Sequence, residues 1–300
     1  MRLLLFGANG QVGWKLQKYL APLGDLKVCS RDNADFNNLN KLQKIIRNFA
    51  PDIIINAAAY TSVDKAESDK NQSFQINTTA VELLAKEAKY LDAWLIHYST
   101  DYVFDGSQLS PYKEGDITNP QTVYGKSKLE GEHLIAKSQC KYLIFRTSWL
   151  YSIRGKNFLK TIISLAKEKD ELRIVSDQIG APTSAELVAN ITALCIYKIS
   201  QNNLAIKDIS GIYHLTASGS TSWHAFAKHF LKEAENLGEI FSVKSEEIIA
   251  INSLELILPT KRPLNSILNT EKLCKTFNLT LPSWETLADR IINELYLRKI

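Results

Sequence analysis

Leu3-Leu4-Leu5-Phe6-Gly7-Ala8-Asn9-Gly10-Gln11-Val12-Gly13 decides the fold class of this chain. An unbroken apolar run of this length reads as a buried strand, and the apolar pattern after it, through Trp14, Leu16 and Leu20, has helical spacing. Strand, glycine loop and helix in that order make a phosphate cradle. The missing Cβ atoms let backbone approach a pyrophosphate, and the helix aims its free N–H groups and positive dipole end at it. Gly7, Gly10 and Gly13 fall three apart, a spacing different from the commoner G-x-G-x-x-G. The expected fold is α/β, a doubly wound parallel Rossmann sheet with a second, smaller mixed domain for substrate.

The alternation continues outward from that stretch. A second strand over Leu26–Ser30 ends at Arg31, where an enzyme selective for NAD more often carries an acid for the ribose 2′-hydroxyl. A basic residue suits a 2′-phosphate, so NADPH is the expected cofactor with NADH accepted, although a solvated arginine is also an ordinary finding. Asp35 and Phe36 can bring a carboxylate and a ring to the adenine end. Leu39, Leu42, Ile45, Ile46 and Phe49 mark a helix, and Asp52–Asn56 marks a strand covered on both faces. Small residues follow at Ala57-Ala58-Ala59, then Tyr60 and Thr61. A helical stretch over 73–91 carries Asn77, either a surface amide or a group that holds a water or a backbone carbonyl near the site. The strand Trp94–Tyr98 ends at Ser99-Thr100-Asp101, and the strand Tyr142–Arg146 follows. Glycine loop, alanine segment and hydroxyl segment thus all fall at carboxyl ends of strands, where open parallel sheets bind ligands.

Between the last two strands stands Tyr124-Gly125-Lys126-Ser127-Lys128, a tyrosine and a lysine that share one helix face. A phenol of ordinary pKa about 10 is a poor acid–base group near neutrality unless a cation supports its phenolate. Lys128 is placed to be that cation, and Ser99, Thr100 and Asp101 supply groups to hold a reacting oxygen. An exposed helical pair without a role has the same spacing, so the motif needs its surroundings.

The formal charge of +4 is spread thinly over 300 residues, without a basic block that would suit nucleic acid or a membrane surface. Cys29, Cys140, Cys195 and Cys274 lie far apart, against a zinc site or disulfide framework and for a reducing compartment. The run Leu3–Phe6 is too short for a signal peptide or a membrane span, so a cytoplasmic protein is expected.

Five segments in order resemble one family. Gly7-x-x-Gly10-x-x-Gly13, Thr100 and Tyr124-x-x-x-Lys128 resemble the extended short-chain dehydrogenase/reductases. Within that group, Ser99–Gly106, Val123–Glu132, Arg146-Thr147-Ser148-Trp149, Asp177–Thr183 and Arg262-Pro263-x-Asn265-Ser266 look like the dTDP-4-dehydrorhamnose reductase family, over nearly the whole chain. The resemblance implies reduction of the 4-keto group of a dTDP-sugar by a nicotinamide hydride. Tyr124 would donate a proton to the oxygen, Thr100 would hydrogen-bond it, and Lys128 would lower the tyrosine pKa and hold the nicotinamide ribose. It further implies cofactor contacts at Gly10, Gln11, Val12, Asp35, Phe36, Asn37, Asn38, Ala59, Tyr60 and Thr61, although Asn37 and Asn38 also suit turns. Asp101 joins the substrate side.

The division expected is a dinucleotide domain over 1–148, with returning segments near 184–216, and an interleaved sugar-nucleotide domain over 149–300. Trp149 opens the second region, either to stack on a deoxysugar or as a core indole. Arg262 is a candidate for the diphosphate, whose oxygens a guanidinium forks, or a surface arginine before a turn-forming proline. Trp223, Phe226, Phe230 and Leu231 read as a core stripe. Some family members dimerise around magnesium held by glutamates, one of them directly after the tryptophan that follows the glycine loop. Here Lys15 follows Trp14, and an ammonium repels magnesium, so metal is doubtful despite Glu186 matching a second carboxylate. A homodimer is left open. Two other functions share these residues: an NAD-dependent sugar-nucleotide epimerase, and a non-catalytic regulatory subunit resembling that of methionine adenosyltransferase.

Overall fold

The computed structural model describes residues 1–201, 209–256 and 259–296. Five strands run in chain order, β1 (Arg2–Phe6), β2 (Asp25–Cys29), β3 (Ile53–Asn56), β4 (Trp94–Thr100) and β5 (Lys141–Thr147). With the edge strand Gly211–His214 they form a six-stranded sheet in the order Gly211–His214, β5, β4, β3, β1, β2. Every pairing in it is parallel. Parallel neighbours need crossovers, and the connecting helices cover both faces, which is why β3 and β4 are buried at every position. One face buries Leu4, Phe6, Ile54, Leu95 and Ile144 against the helices Leu39–Phe49 and Ala80–Tyr90. The other buries Leu3, Leu5, Ile53, Ile55, Ile96 and Phe145 in a cluster that continues into the second half of the chain.

That second half returns to the sheet twice. Helix Ala185–Ser200 lies in the same apolar cluster as the first helix, Gln11–Leu20, and Gly211–His214 extends the sheet beyond β5. The rest builds a smaller lobe of helices and two-stranded pieces: Leu150–Tyr151 with Thr183–Ser184, Arg173–Val175 with Ile249–Ile251, and Ile179–Gly180 with Thr221–Ser222. Residues 202–208 of the expected returning segment, and 257, 258 and 297–300 of the expected second domain, lie outside the described residues.

Several expected strand ends are off by one residue, and two boundaries near the site differ by more. Segment 73–91 is not one α-helix. It is the end of Lys70–Phe74, a π-helical turn at Gln75–Thr79, and Ala80–Tyr90. A π turn inserts a residue and re-aims a side chain, here Asn77. The fourth strand runs to Thr100 rather than ending at Tyr98, because its hydrogen-bonded register with β5 persists to Thr100 opposite Thr147.

Candidate active site

The catalytic candidates meet where β4 ends and helix Val123–Ser138 begins. That helix is capped by the Thr122 hydroxyl, which accepts from Gly125 N–H at 3.0 Å, while Glu67 Oε1 accepts from Val123 N–H at 2.8 Å. Its glycines allow close approach: a Cβ on Gly125 would strike the Tyr102 carbonyl, and one on Gly131 the Asn77 carbonyl. Asn77 is buried and ties the helix to the loop after β3, accepting from Tyr60 N–H at 2.9 Å and donating to the Tyr60 carbonyl and the Ser127 hydroxyl at 3.0 Å each. The backbone-holding alternative for Asn77 is therefore the one observed.

Lys128 is 2% exposed, and its Nζ donates to the Tyr98 carbonyl at 2.6 Å and lies 3.2 Å from Nε2 of His97. Burial pulls Lys128 down to about 8, against the opposing charge of Glu132. Tyr124 is half-buried. Burial raises its pKa, and the Thr100 hydroxyl pulls the other way. The expectation that Lys128 lowers the tyrosine is not what the structure shows. The ε-nitrogen is turned into the sheet toward Tyr98 and His97, and desolvation outweighs any relief at the phenol. A raised phenol holds its proton at neutral pH, which suits a donor. Thr100 donates its hydroxyl to Asp101 Oδ1 at 2.9 Å and accepts from Tyr102 N–H at 3.2 Å. Burial pushes Asp101 up to about 6, against hydrogen bonds from Ser266 and Thr100.

A groove of about 190 Å³ is lined by Gly7, Gly10, Arg31, Asp35, Phe36 and Ala57–Ala59, the last of these in the loop that Asn77 ties to the helix of Tyr124. Gly7 sits at φ +79, and a Cβ there would run into Ala57 and Ala58, so only glycine lets the loop lie this close to β3. Gly13 packs its α-carbon against the Gly7 carbonyl. At the start of the helix, Gln11, Val12 and Gly13 have no preceding helical carbonyl for their N–H groups, as a phosphate site requires. The side chains of three residues expected to contact the cofactor are engaged within the protein. Val12 is buried in the core, Gln11 Oε1 accepts from Ser152 and Asn157, and Asn38 caps helix Leu39–Phe49 through Lys41 N–H. Asn37 bonds Asp35 and Gln72 at the rim, the Tyr60 hydroxyl is turned to Asp69, and Thr61 is exposed. A dinucleotide fits this donor set, with Arg31 exposed at the groove wall.

A separate cavity of about 440 Å³ has walls that include Tyr102, Trp149, Phe158, Trp223, Gln178, Arg262 and Ser266. Trp149 has φ +48, the left-handed region, an outlier for a bulky residue that aims its indole here. The Trp149 and Trp223 rings stack at 3.5 Å, 7° from parallel, and a Cβ on Gly180 would overlap Trp149. Trp223 packs against the core, as its place in the stripe predicts, and also lines this cavity. Phe226, Phe230 and Leu231 are buried, whereas Trp223 faces the cavity because it opens helix Trp223–Asn236. Arg262 forms an ion pair with Asp64 at 2.6 Å and donates to the Tyr102 hydroxyl at 3.0 Å. Tyr102 in turn packs edge-on against Tyr124, 5.6 Å between centroids. Sequence reasoning missed Asp64, Tyr102, Phe158 and His97. Their types carry no local signal, and only the fold assembles them.

The residues expected to bear on magnesium do not form a site for it. Lys15 Nζ lies 3.0 Å from Glu186 and 3.6 Å from Glu294, so an ammonium stands among the carboxylates. Burial would raise Glu186, but hydrogen bonds from the Tyr19 hydroxyl and Lys15 bring it below its ordinary value.

The model of the RmlD substrate binding domain family matches residues 1–297. A reductase of Shigella flexneri named dTDP-4-dehydrorhamnose reductase is 46% identical over 300 residues, covering 99% of this chain and 98% of that one. The chain belongs to the dTDP-4-dehydrorhamnose reductase family. The Escherichia coli K12 member is 47% identical over the same span. Among solved structures, the Bacillus anthracis reductase in complex with NADP superposes with a TM-score of 0.87 at 34% identity, covering 98% of this chain and 99% of that one. UDP-glucose 4-epimerase of Thermotoga maritima, at 17% identity and a TM-score of 0.79, shares the fold alone. Whole-chain identity therefore favours the reductase family over the epimerase and regulatory-subunit alternatives. No described helix is long and apolar enough to cross a membrane.

Proposed function

We propose that the chain reduces the C4 keto group of dTDP-4-dehydro-L-rhamnose to dTDP-L-rhamnose, the last step of dTDP-L-rhamnose biosynthesis, in the cytoplasm. The observation that carries this reading is that Asn77 ties the helix of Tyr124 and Lys128 to the loop after β3, which lines the glycine-loop groove, while Tyr102 of the two-indole cavity packs against Tyr124. When bound, NADPH supplies the hydride, with NADH accepted. Gly7, Gly10, the free N–H groups at Gln11–Gly13 and Arg31 hold the dinucleotide, with Asp35 and Phe36 toward its adenine end. Asn77 keeps the Tyr60 backbone and the catalytic helix in one frame.

On the sugar-nucleotide side, Trp149 offers an aromatic wall to the apolar face of the deoxysugar. Arg262 exchanges Asp64 for diphosphate oxygens, since its fork accepts either pair of oxygens. Tyr124 keeps its proton at neutral pH and releases it to the oxygen that gains charge at C4. Thr100 turns its hydroxyl from Asp101 toward the same oxygen. Donors placed in advance for that charge lower the barrier most. The protein works as a monomer or as a homodimer held without magnesium.

The test is Tyr124→Phe, which removes one hydroxyl and little volume. Reduction is expected to fall by orders of magnitude with NADPH affinity unchanged. Activity within about threefold of the parent would remove Tyr124 from the mechanism.

A further inference from the structure

Beneath the catalytic pair runs a buried chain of polar atoms whose donors and acceptors can be counted. Ala58 N–H donates to Asn56 Oδ1 at 3.1 Å, which orients the amide so that its Nδ2 faces Nδ1 of His97 at 3.1 Å. Across the ring, Nε2 lies 3.2 Å from Lys128 Nζ, whose other partner is the Tyr98 carbonyl at 2.6 Å. Asn56, His97 and Lys128 are 1%, 0% and 2% exposed, so water does not rescue a mismatch. A carboxamide nitrogen only donates, so Nδ1 accepts, and a neutral imidazole then carries its proton on Nε2. An ammonium also only donates. Charged Lys128 would set N–H against N–H, whereas the neutral amine offers a lone pair to the ring.

We propose that His97, its tautomer set by Asn56, is a positioning residue that donates Nε2–H to Lys128 and favours the neutral amine in the free enzyme. The proposal rests on the reading of Lys128 as a member of the catalytic centre whose loss of a proton ends activity at high pH. Burial of Lys128 acts in the same direction, and a neutral His97 agrees with its own ionisation being pushed well below the ordinary value by burial and by Lys128. Of the other ionisable groups near the pair, Tyr124 and Glu132 share the helix of Lys128, one turn before and one turn after it, Asp101 follows the end of β4, and the Tyr98 hydroxyl is turned to Thr192. Glu132 favours the ammonium, but its carboxylate is committed to Arg146 of β5 at 2.6 Å. The consequence is an alkaline limb of kcat/KM, which reports the free enzyme, held low by a histidine that touches neither substrate nor cofactor.

Two measurements test this on the intact protein. Nitrogen-15 NMR of the ligand-free enzyme is expected to show His97 as the Nε2–H tautomer, and an Nδ1–H tautomer overturns the proposal. Asn56→Asp keeps the acceptor for Ala58 N–H and adds one for Nδ1–H, which reverses the ring and gives the ammonium a lone pair. Its alkaline limb is expected to move up by about one pH unit. The same change made in a His97→Gln background is expected to lose that shift. A shift that persists there is plain charge, and the ring then has no part in it. Lys128→Met separates the premise from the proposal: an alkaline limb unchanged in that variant means that another group titrates and that the reading of Lys128 falls, whatever the tautomer of His97.

Discussion

At the residue scale the site is a set of groups whose ionisation is set by burial. Asp101 shows this with a sign that can be measured. Its carboxyl is pushed up to about 6 in the folded chain, from an ordinary value near 4. A raised carboxyl binds its proton more tightly when folded, so its contribution to stability is complete below pH 4 and is lost as pH rises through 6. Asp101→Asn removes that loss and keeps an acceptor for the Thr100 hydroxyl. The variant is expected to gain stability over the parent between pH 4 and 8, by up to about 3 kcal/mol in chemical denaturation. A difference that does not change with pH would mean that Asp101 is not raised. Tyr124, Lys128 and Thr100 were legible in the sequence because a helical repeat and a strand end place them by local geometry. His97 and Asn56 were not, since what matters is the pairing of β3 with β4, which puts Asn56 opposite His97.

At the element scale, two of the stretches that carry the family resemblance turn out to hold each other. Glu132, from the helix of Tyr124, and Arg146, from β5, form a forked ion pair with contacts of 3.0 and 2.6 Å, and both side chains are almost wholly buried. Removing one partner of such a pair leaves a charge in a poor solvent. Glu132→Ala is expected to cost about 3–5 kcal/mol in urea unfolding, and a loss below about 1 kcal/mol, the size of an exposed pair, would contradict this account. The strands and the helix Leu39–Phe49 were readable from apolar spacing. The short helix Val63–Ser68 was not, because four polar residues with one valine and one alanine give no periodic signal. Yet it supplies Asp64 to Arg262 and Glu67 to the start of the helix that carries Tyr124. The π turn was also invisible, because one inserted residue barely disturbs an apolar pattern.

At the scale of the whole molecule, one apolar cluster runs from the sheet into the second half of the chain. Lys15, Glu186 and Glu294 lie on three helices from both halves of the chain, and the Lys15 ammonium stands within 3.0 and 3.6 Å of the two carboxylates. Chelation with EDTA is therefore expected to leave both reductase rate and solution mass unchanged, whereas a dimer that dissociates in EDTA and returns with magnesium would overturn the reading of Lys15. The doubly wound sheet was legible because each β–α step repeats one pattern. The smaller lobe was legible only in outline, since its two-residue strand pieces and long excursions are defined by distant partners. The measurement that bears most directly on the whole account is oxidation of NADPH by the purified protein with enzymatically made dTDP-4-dehydro-L-rhamnose. The account predicts stoichiometric conversion to dTDP-L-rhamnose; no oxidation of NADPH by a folded, cofactor-binding protein would contradict it.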